Sequence, residues 1–149
     1  MDKKETVKGL ASLIQLDIDA MHAYLQAIKN IDYTPIREQL GTFLEDHERH
    51  AVELSKGVRS LGAEPPEFSR DFKGFVIAGF TSLMSAAGTG RALEAMRSNE
   101  KLTNRKYREA LDLGLPGDIR PLVGSNYADE QRHLAYIEQM LAERPWEKR

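Results

Sequence analysis

The chain has 149 residues, a length that suits a single domain with a sizeable core, and we expect residues 1–149 to form one domain. Its formal net charge is −2 and its acids and bases are interleaved, which argues against a nucleic-acid partner. The absence of cysteine excludes disulfides, iron–sulfur clusters and thiolate zinc sites. Together with an N-terminus that lacks a signal-peptide apolar segment, it predicts a cytoplasmic protein.

Apolar residues recur at steps of three and four along four segments, and no segment alternates as a half-buried strand does. Such a stripe marks the inward face of a bundle helix. The four stripes run over residues 10–31, 36–61, 93–110 and 119–140. The sequence therefore predicts an all-α chain with four main helices.

Turn-forming residues separate these helices in pairs. The run at 32–35 lies between the first and second helices, and we expect Thr34 to cap the second. The run at 114–117 lies between the third and fourth, and Asp118 is the expected cap of the fourth. Pro145 is expected to end the fourth helix. The two short connections predict two helical hairpins.

A long connection, residues 62 to about 90, joins the hairpins and is expected to be partly helical and to run the length of the bundle. Residues 75–87 are uncharged, but they fall short of the roughly 20 residues that a membrane-spanning helix needs. A buried helix or an oligomer contact is therefore favoured over membrane association. Gly88 and Gly90 are expected to kink or break the chain before the third main helix.

The two predicted hairpins carry the same pattern of polar residues, offset by 83 positions. The pattern contains an acid, a tyrosine seven residues later, and a second-helix pair ending in histidine. In the first half these are Asp17, Tyr24, His47 and His50, and in the second half Glu100, Tyr107, Glu130 and His133. Equal spacings in two half-chains predict one site built from two related hairpins.

Three acids of this pattern occupy inward positions of their helices: Asp17, Glu100 and Glu130. An isolated carboxylate in a bundle core costs several kcal/mol and normally protonates or pairs. The residues at the same level are histidines, and carboxylates with imidazoles in a dry core are typical metal ligands. We therefore expect a metal site formed by Asp17, His47, His50, Glu100, Glu130 and His133.

The aromatic and charged residues around these positions allow simpler interpretations. Tyr24 and Tyr107 are first of all core aromatics whose hydroxyls need partners, for which the ligand carboxylates are candidates. Asp46 and Asp129 are most simply surface acids, with hydrogen bonds to a ligand histidine as the alternative. His22 lies outside the repeat and is interpreted as a surface or packing residue.

With these residues the chain resembles the ferritin-like superfamily of four-helix bundles, in particular its bacterioferritin- and rubrerythrin-like members. In that superfamily, single glutamates on the first and third helices join a Glu-x-x-His pair on the second and fourth. The resemblance implies an up-down bundle and places Asp17 and Glu100 at the single-carboxylate positions, with Glu130 and His133 as one pair. The run Gly74-x4-Gly79 and the later Glu100-x6-Tyr107 resemble small bacterial bundles of the DUF2383 type.

Two positions depart from the superfamily pattern. His47 stands where the second helix should have glutamate, and Asp17 is one methylene shorter than the expected glutamate. The chain thus offers three carboxylates instead of four, which weakens the case for a coupled di-iron pair. Imidazole at position 47 favours ferrous iron, zinc, nickel or copper over hard ferric iron. The expected site is mononuclear, or dinuclear with unequal affinities.

Three functions remain open on this basis. The resemblance implies an iron protein with ferroxidase, other oxidoreductase or peroxide-linked chemistry, and zinc or another divalent transition metal is the alternative cofactor. A second possibility is a protein that binds metal without turnover, and a third is a structural or interaction bundle whose site has degenerated. The spacing assigns no catalytic residue. We expect a homodimer or higher homo-oligomer with metal ions as its ligands.

Overall fold

The computed structural model describes residues 1–67 and 88–148, which contain four long α-helices and no strand. A short 3-10 turn at Pro145–Glu147 follows the last helix, so the fourth helix ends immediately before Pro145, as predicted. The four helices are α1 (Lys3–Lys29), α2 (Thr34–Ser60), α3 (Thr89–Leu111) and α4 (Arg120–Glu143). The prediction of an all-α four-helix bundle is therefore confirmed.

Local sequence explains where α1 begins. The Asp2 carboxylate accepts a hydrogen bond from the backbone N–H of Glu5 at 2.8 Å, and the Glu5 carboxylate accepts one from the N–H of Asp2 at 3.4 Å. This capping box satisfies two backbone donors that the first helical turn leaves unpaired.

The predicted caps of the second and fourth helices are wrong. Tyr33, not Thr34, occupies the cap position of α2, because its carbonyl accepts from the N–H of Arg37 at 3.1 Å. Ile119, not Asp118, occupies the cap position of α4, because its carbonyl accepts from the N–H of Val123 at 3.1 Å. Asp118 lies in the preceding turn, which the carbonyl of Pro116 closes by accepting from the N–H groups at 119 and 120.

The helices pack as two hairpins. Helix α1 packs along α2, α3 packs along α4, and the hairpins meet mainly through α1 and α3. Helices α2 and α4 contact each other less closely, which leaves room between them for polar side chains. Gly88 precedes α3 with φ of +98°, a backbone conformation that favours glycine, and the helix begins at Thr89.

The core consists of two apolar clusters with a polar layer between them. One cluster contains Leu10, Leu54 and Val123, and the other contains Phe43 and Met96 with their neighbours. The layer between them is formed by buried polar side chains: Asp17 of α1, His47 and His50 of α2, Glu100 of α3, and Glu130 and His133 of α4. This layer contains the acids and histidines of the sequence repeat, whereas Tyr24 and Tyr107 belong to the adjoining apolar clusters.

Two expectations fall on residues outside the described ranges: the helical part of the crossover and the role of residues 75–87. Within residues 1–67 and 88–148, no helix is long and apolar enough to cross a membrane.

Candidate metal centre

Eight side chains of the described residues, two from each helix, form the polar layer and its immediate border, and none of them is exposed to solvent. Their helical spacing explains the convergence, because residues three, four or seven apart lie on one helix face. The contributors are Asp17 and Tyr24 of α1, His47 and His50 of α2, Glu100 and Tyr107 of α3, and Glu130 and His133 of α4.

His47 lies between the carboxylates of three other helices. Its Nδ1 is 2.8 Å from Oδ1 of Asp17, and its Nε2 is 3.1 Å from Oε1 of Glu100. The same Nε2 is 3.3 Å from Oε2 of Glu130. Both ring nitrogens therefore face the interior of the site.

His50 occupies the half of the site next to Asp17. Its Nδ1 is 3.2 Å from Oδ1 of Asp17 and 3.2 Å from Oε1 of Glu130. The Tyr107 hydroxyl donates to the second oxygen of Asp17 at 2.5 Å. Three side chains thus orient the Asp17 carboxylate.

His133 occupies the half next to Glu100. Its Nδ1 is 3.4 Å from Oε1 of Glu100 and 3.5 Å from Oε2 of Glu130. The Tyr24 hydroxyl donates to Oε1 of Glu100, and Thr103 donates to Oε2 of Glu100 at 2.9 Å. Each tyrosine therefore bonds the acid of the opposite half, and the 83-residue repeat holds in the contacts as well as in the sequence.

The outer nitrogens of His50 and His133 are bound by acids of the facing helix. Nε2 of His50 lies 2.8 Å from Oδ2 of Asp129, and Nε2 of His133 lies 2.8 Å from Oδ2 of Asp46. Each aspartate accepts the Nε2–H proton, which directs Nδ1 towards the interior carboxylates. Such carboxylate–imidazole contacts fix the ring of a metal-binding histidine.

Two arginines complete the outer edge of the layer. Arg49 donates to Asp129 at 2.7 Å and to Asp46 at 3.2 Å. Arg132 donates to Asp129 at 2.9 Å and to Asp46 at 3.2 Å. Both aspartates are about one-fifth exposed, so this cluster separates the buried layer from solvent between α2 and α4.

Comparison with known proteins identifies the family. A family model described as a domain of unknown function, DUF2383, matches residues 5–113. The chain belongs to the DUF2383 family. No curated protein matches it.

Solved structures similar to this DUF2383 protein are ferritin-like. The bacterioferritin of Desulfovibrio desulfuricans, whose diiron site was studied in different catalytic states, is 22% identical with a TM-score of 0.76, over 94% of this chain and 80% of that one. A dodecameric thioferritin, the bacterioferritin-related protein of Bacteroides fragilis, is 14% identical with a TM-score of 0.80, over 99% and 90%. A ferritin-like diiron-carboxylate protein from Bacillus anthracis strain Ames is 19% identical with a TM-score of 0.72, over 95% and 99%. These likenesses confirm the ferritin-like bundle fold.

The three histidines of the polar layer have pKa values raised by neighbouring acids, which favours their charged form when no metal is bound. Burial lowers the pKa of His50, but the adjacent Asp17 and Glu130 outweigh it and raise that pKa to about 9. Burial likewise lowers the pKa of His133, and Asp46 and Glu100 raise it to about 10. The pKa of His47 is also raised well above its ordinary value, against burial, by the charge of Glu130 and by hydrogen bonding to Asp17.

The three inner acids respond differently to this environment. Burial raises the pKa of Asp17, but hydrogen bonds from His47 and His50 outweigh it, and the pKa falls below its ordinary value. The pKa of Glu100 is lowered well below its ordinary value in the same way, by His133 and His47 against burial. The pKa of Glu130 is raised, and burial is the largest cause. The layer is thus a set of imidazolium–carboxylate pairs when no metal is bound.

The donor atoms fit a transition-metal ion. Two groups of four donors have ligand atoms within 4.8 Å of one another. Among the described residues, Glu130 Oε1 and His133 Nδ1 are buried and make only ion-pair contacts, the shortest to His50 Nδ1 at 3.2 Å and to Glu100 Oε1 at 3.4 Å respectively, and both are potential ligand atoms. Nitrogen and oxygen ligands without thiolates suit ferrous iron, zinc, manganese or copper. The two groups are Asp17, His47, His50 and Glu130, and His47, Glu100, Glu130 and His133.

The structure brings together all six predicted ligands and both tyrosines. The sequence interpretation missed three supporting residues. Phe43 stacks on the ring of His133 with centroids 4.1 Å apart. Thr103 orients Glu100, and the Asn104 amide donates to the backbone carbonyls of Glu100 and Glu130 at 2.7 and 3.0 Å. Phe43 and Thr103 lie on the inward stripes of their helices, and this position could have identified them as neighbours of the site.

Proposed function

We propose that this DUF2383 protein binds iron in the polar layer and exchanges electrons with oxygen or a peroxide, as a ferritin-like redox protein. The observation that carries the proposal is the pair of fully buried groups of carboxylate and imidazole donors, whose ligand atoms lie within 4.8 Å of one another in each group. The fold shared with a bacterioferritin supports it. Bound iron would supply one-electron chemistry, and the protein side chains would supply the ligand field, proton-holding groups and exclusion of water.

Each residue has a definite part in this proposal. Asp17 and Glu100 would hold the metal through their carboxylates, and His50 and His133 would hold it through Nδ1 while their Nε2–H groups stay on an aspartate. Glu130 contributes one oxygen to each donor group, since Oε1 faces His50 and Oε2 faces His133. The apolar clusters on both sides keep bulk water from the layer.

The chemistry is tested by loading the metal-free protein with Fe²⁺ under anaerobic conditions and then admitting air. Oxygen consumption together with a ferric absorption band in the near ultraviolet is the expected result. The matched control is the Glu130→Gln, His133→Gln double variant, which removes two ligands from the layer and should give neither signal. Failure of the wild-type protein to bind iron, or equal oxidation by the double variant, contradicts the proposal.

A second function, metal binding without turnover, is favoured by one observation. His47 and its neighbouring carboxylates already form a charge-balanced network without a metal, so the layer does not require iron for its stability. Tight binding of Fe²⁺ or Zn²⁺ with no oxygen consumption would support this function. Unchanged melting temperature on adding either metal would instead support a structural bundle with a degenerate site.

We propose further that the chain forms a homo-oligomer. The support is the fold shared with a dodecameric bacterioferritin-related protein. Light scattering on the eluate of a sizing column tests the proposal, and a mass equal to the 16.8 kDa of one chain contradicts it.

A further inference from the structure

The three histidines of the polar layer use their ring nitrogens in two different ways. His50 and His133 each direct one nitrogen outward to an aspartate, at 2.8 Å in both cases, and one nitrogen inward. Within residues 1–67 and 88–148, His47 contacts no outer aspartate, and both of its nitrogens face carboxylates of the layer, Asp17 and Glu100. A terminal metal ligand needs one inward nitrogen and one outer acceptor. His47 does not have this arrangement, because both of its nitrogens face inward.

The two nitrogens of His47 face different donor groups. Nδ1 is beside Asp17, which belongs to one group of four candidate ligands, and Nε2 is beside Glu100, which belongs to the other. In the part of the chain that the structure describes, two residues belong to both groups, His47 and Glu130. They come from facing helices, at equivalent positions of the 83-residue repeat. The two residues thus stand together between the two groups.

Charge favours the same arrangement. Two divalent ions carry four positive charges, whereas Asp17, Glu100 and Glu130 supply three negative ones. An imidazole that binds a metal through each nitrogen has lost both N–H protons and carries one negative charge, which completes the balance. The protons pass to solvent, as ligand protons do whenever a metal replaces them.

We propose that His47 is a bridging ligand, with Nδ1 on an ion shared with Asp17 and His50 and Nε2 on an ion shared with Glu100 and His133. The inference rests on the proposed metal binding and deepens it, because it assigns the number of ions and the group that connects them. Glu130 supplies one oxygen to each ion.

The arrangement has a measurable dimension. Metal–nitrogen bonds to imidazole are about 2.0–2.1 Å, and the ring nitrogens are about 2.2 Å apart, so a bridging ring separates the ions by roughly 6 Å. Ions in ordinary two-metal sites are about 3.5–4 Å apart. The distance between the ions therefore distinguishes a ring bridge from a purely carboxylate bridge.

The first experiment uses the full-length metal-free protein reconstituted with Zn²⁺, which has no redox chemistry. Elemental analysis should give two zinc ions per chain, and anomalous diffraction should give two peaks roughly 6 Å apart with the His47 ring between them. Peaks at about 3.5–4 Å, a single ion, or a ring that contacts one ion only would overturn the bridge while leaving metal binding intact. Failure to bind either Zn²⁺ or Fe²⁺ would overturn the proposed function itself.

A second experiment tests the bridge through magnetic coupling. With two Cu²⁺ ions bound, a shared imidazole couples the spins, and the integrated electron paramagnetic resonance intensity per copper should fall well below that of isolated Cu²⁺. His47→Gln should restore the full intensity, and intensity unaffected by this change would refute the bridge. His47→Glu is the matched control, since a carboxylate at this position should bring two zinc ions to about 3.5–4 Å. The wild-type distance measurement decides the question even if neither variant folds.

Discussion

The metal-free protein should lose stability as the pH rises from 6.5 to 9. The pKa of His50 is near 6.5 in the unfolded chain and about 9 in the folded one, so protonation favours folding. Its contribution is fully present below pH 6.5 and is lost as the pH rises through the folded value. A difference of 2.5 pKa units corresponds to roughly 3 kcal/mol. His133, with a folded pKa of about 10, acts in the same direction.

The size of this effect makes it measurable. A typical domain has a free energy of unfolding of about 5–15 kcal/mol, so a loss of about 3 kcal/mol is a large fraction of the total. The pKa of Glu130 is also raised by folding, first by burial, so this acid does not oppose the trend. His22 has a pKa lowered by burial to about 4, so its effect falls below pH 6.5 and does not oppose the trend.

The assay is urea unfolding followed by circular dichroism, with a chelator present, at intervals between pH 6.5 and 9. His50→Gln should make the free energy of unfolding less dependent on pH, because it removes the contribution of His50. Saturating Zn²⁺ provides a control of opposite sign, because the metal must displace imidazole protons and its stabilising effect should grow as the pH rises. A free energy of unfolding that stays constant or increases across this range in the metal-free protein would refute the reasoning.

Three further changes test other parts of the layer. Asp129→Asn replaces the acceptor of the His50 Nε2–H, and zinc affinity measured by calorimetry should fall about 10–100-fold; an unchanged affinity would mean that this contact does not orient the ring. Phe43→Ala removes the buried ring stacked on His133 and should lower the free energy of unfolding of the zinc-free protein by roughly 3–5 kcal/mol, whereas a loss below about 1 would argue against tight packing there. Arg132→Gln breaks ion pairs at a half-exposed side chain and should cost less than about 1 kcal/mol in the same assay; a loss above about 2 would show that the outer cluster is part of the folded core.

The four helices could be predicted because their inward stripes repeat at the helical period. Every residue of the first stripe, from Leu10 to Ile31, is buried. The starts of α2 and α4 could not be predicted to the residue. They depend on which carbonyl accepts the first helical hydrogen bond, and in both helices a residue without a capping side chain takes that position. The backbone geometry of the turn decides this, and side-chain preferences for caps do not.

The location of the site followed from equal spacings, but its internal contacts did not. The repeat placed His47 level with Asp17 and Glu100, yet nothing in the spacing tells which nitrogen faces which carboxylate. That depends on side-chain rotation and on how the helices are turned against each other. The most economical interpretation of Asp46 and Asp129 was as surface acids, whereas each also reaches across to a histidine of the facing helix. A single helix carries no information about a partner 79 or 87 positions away. The ligand roles themselves remain predictions.

The reciprocal contacts between the two hairpins have the form of an isologous dimer interface within one chain. His50 contacts Asp129 and His133 contacts Asp46, as residue i contacts j and j contacts i across a twofold axis. In a true dimer of identical hairpins, every substitution appears twice, so the two central positions would have to be the same residue. Covalent connection of the halves removes that constraint. It allows histidine at 47 to face glutamate at 130, whereas two identical subunits would have the same residue at both positions.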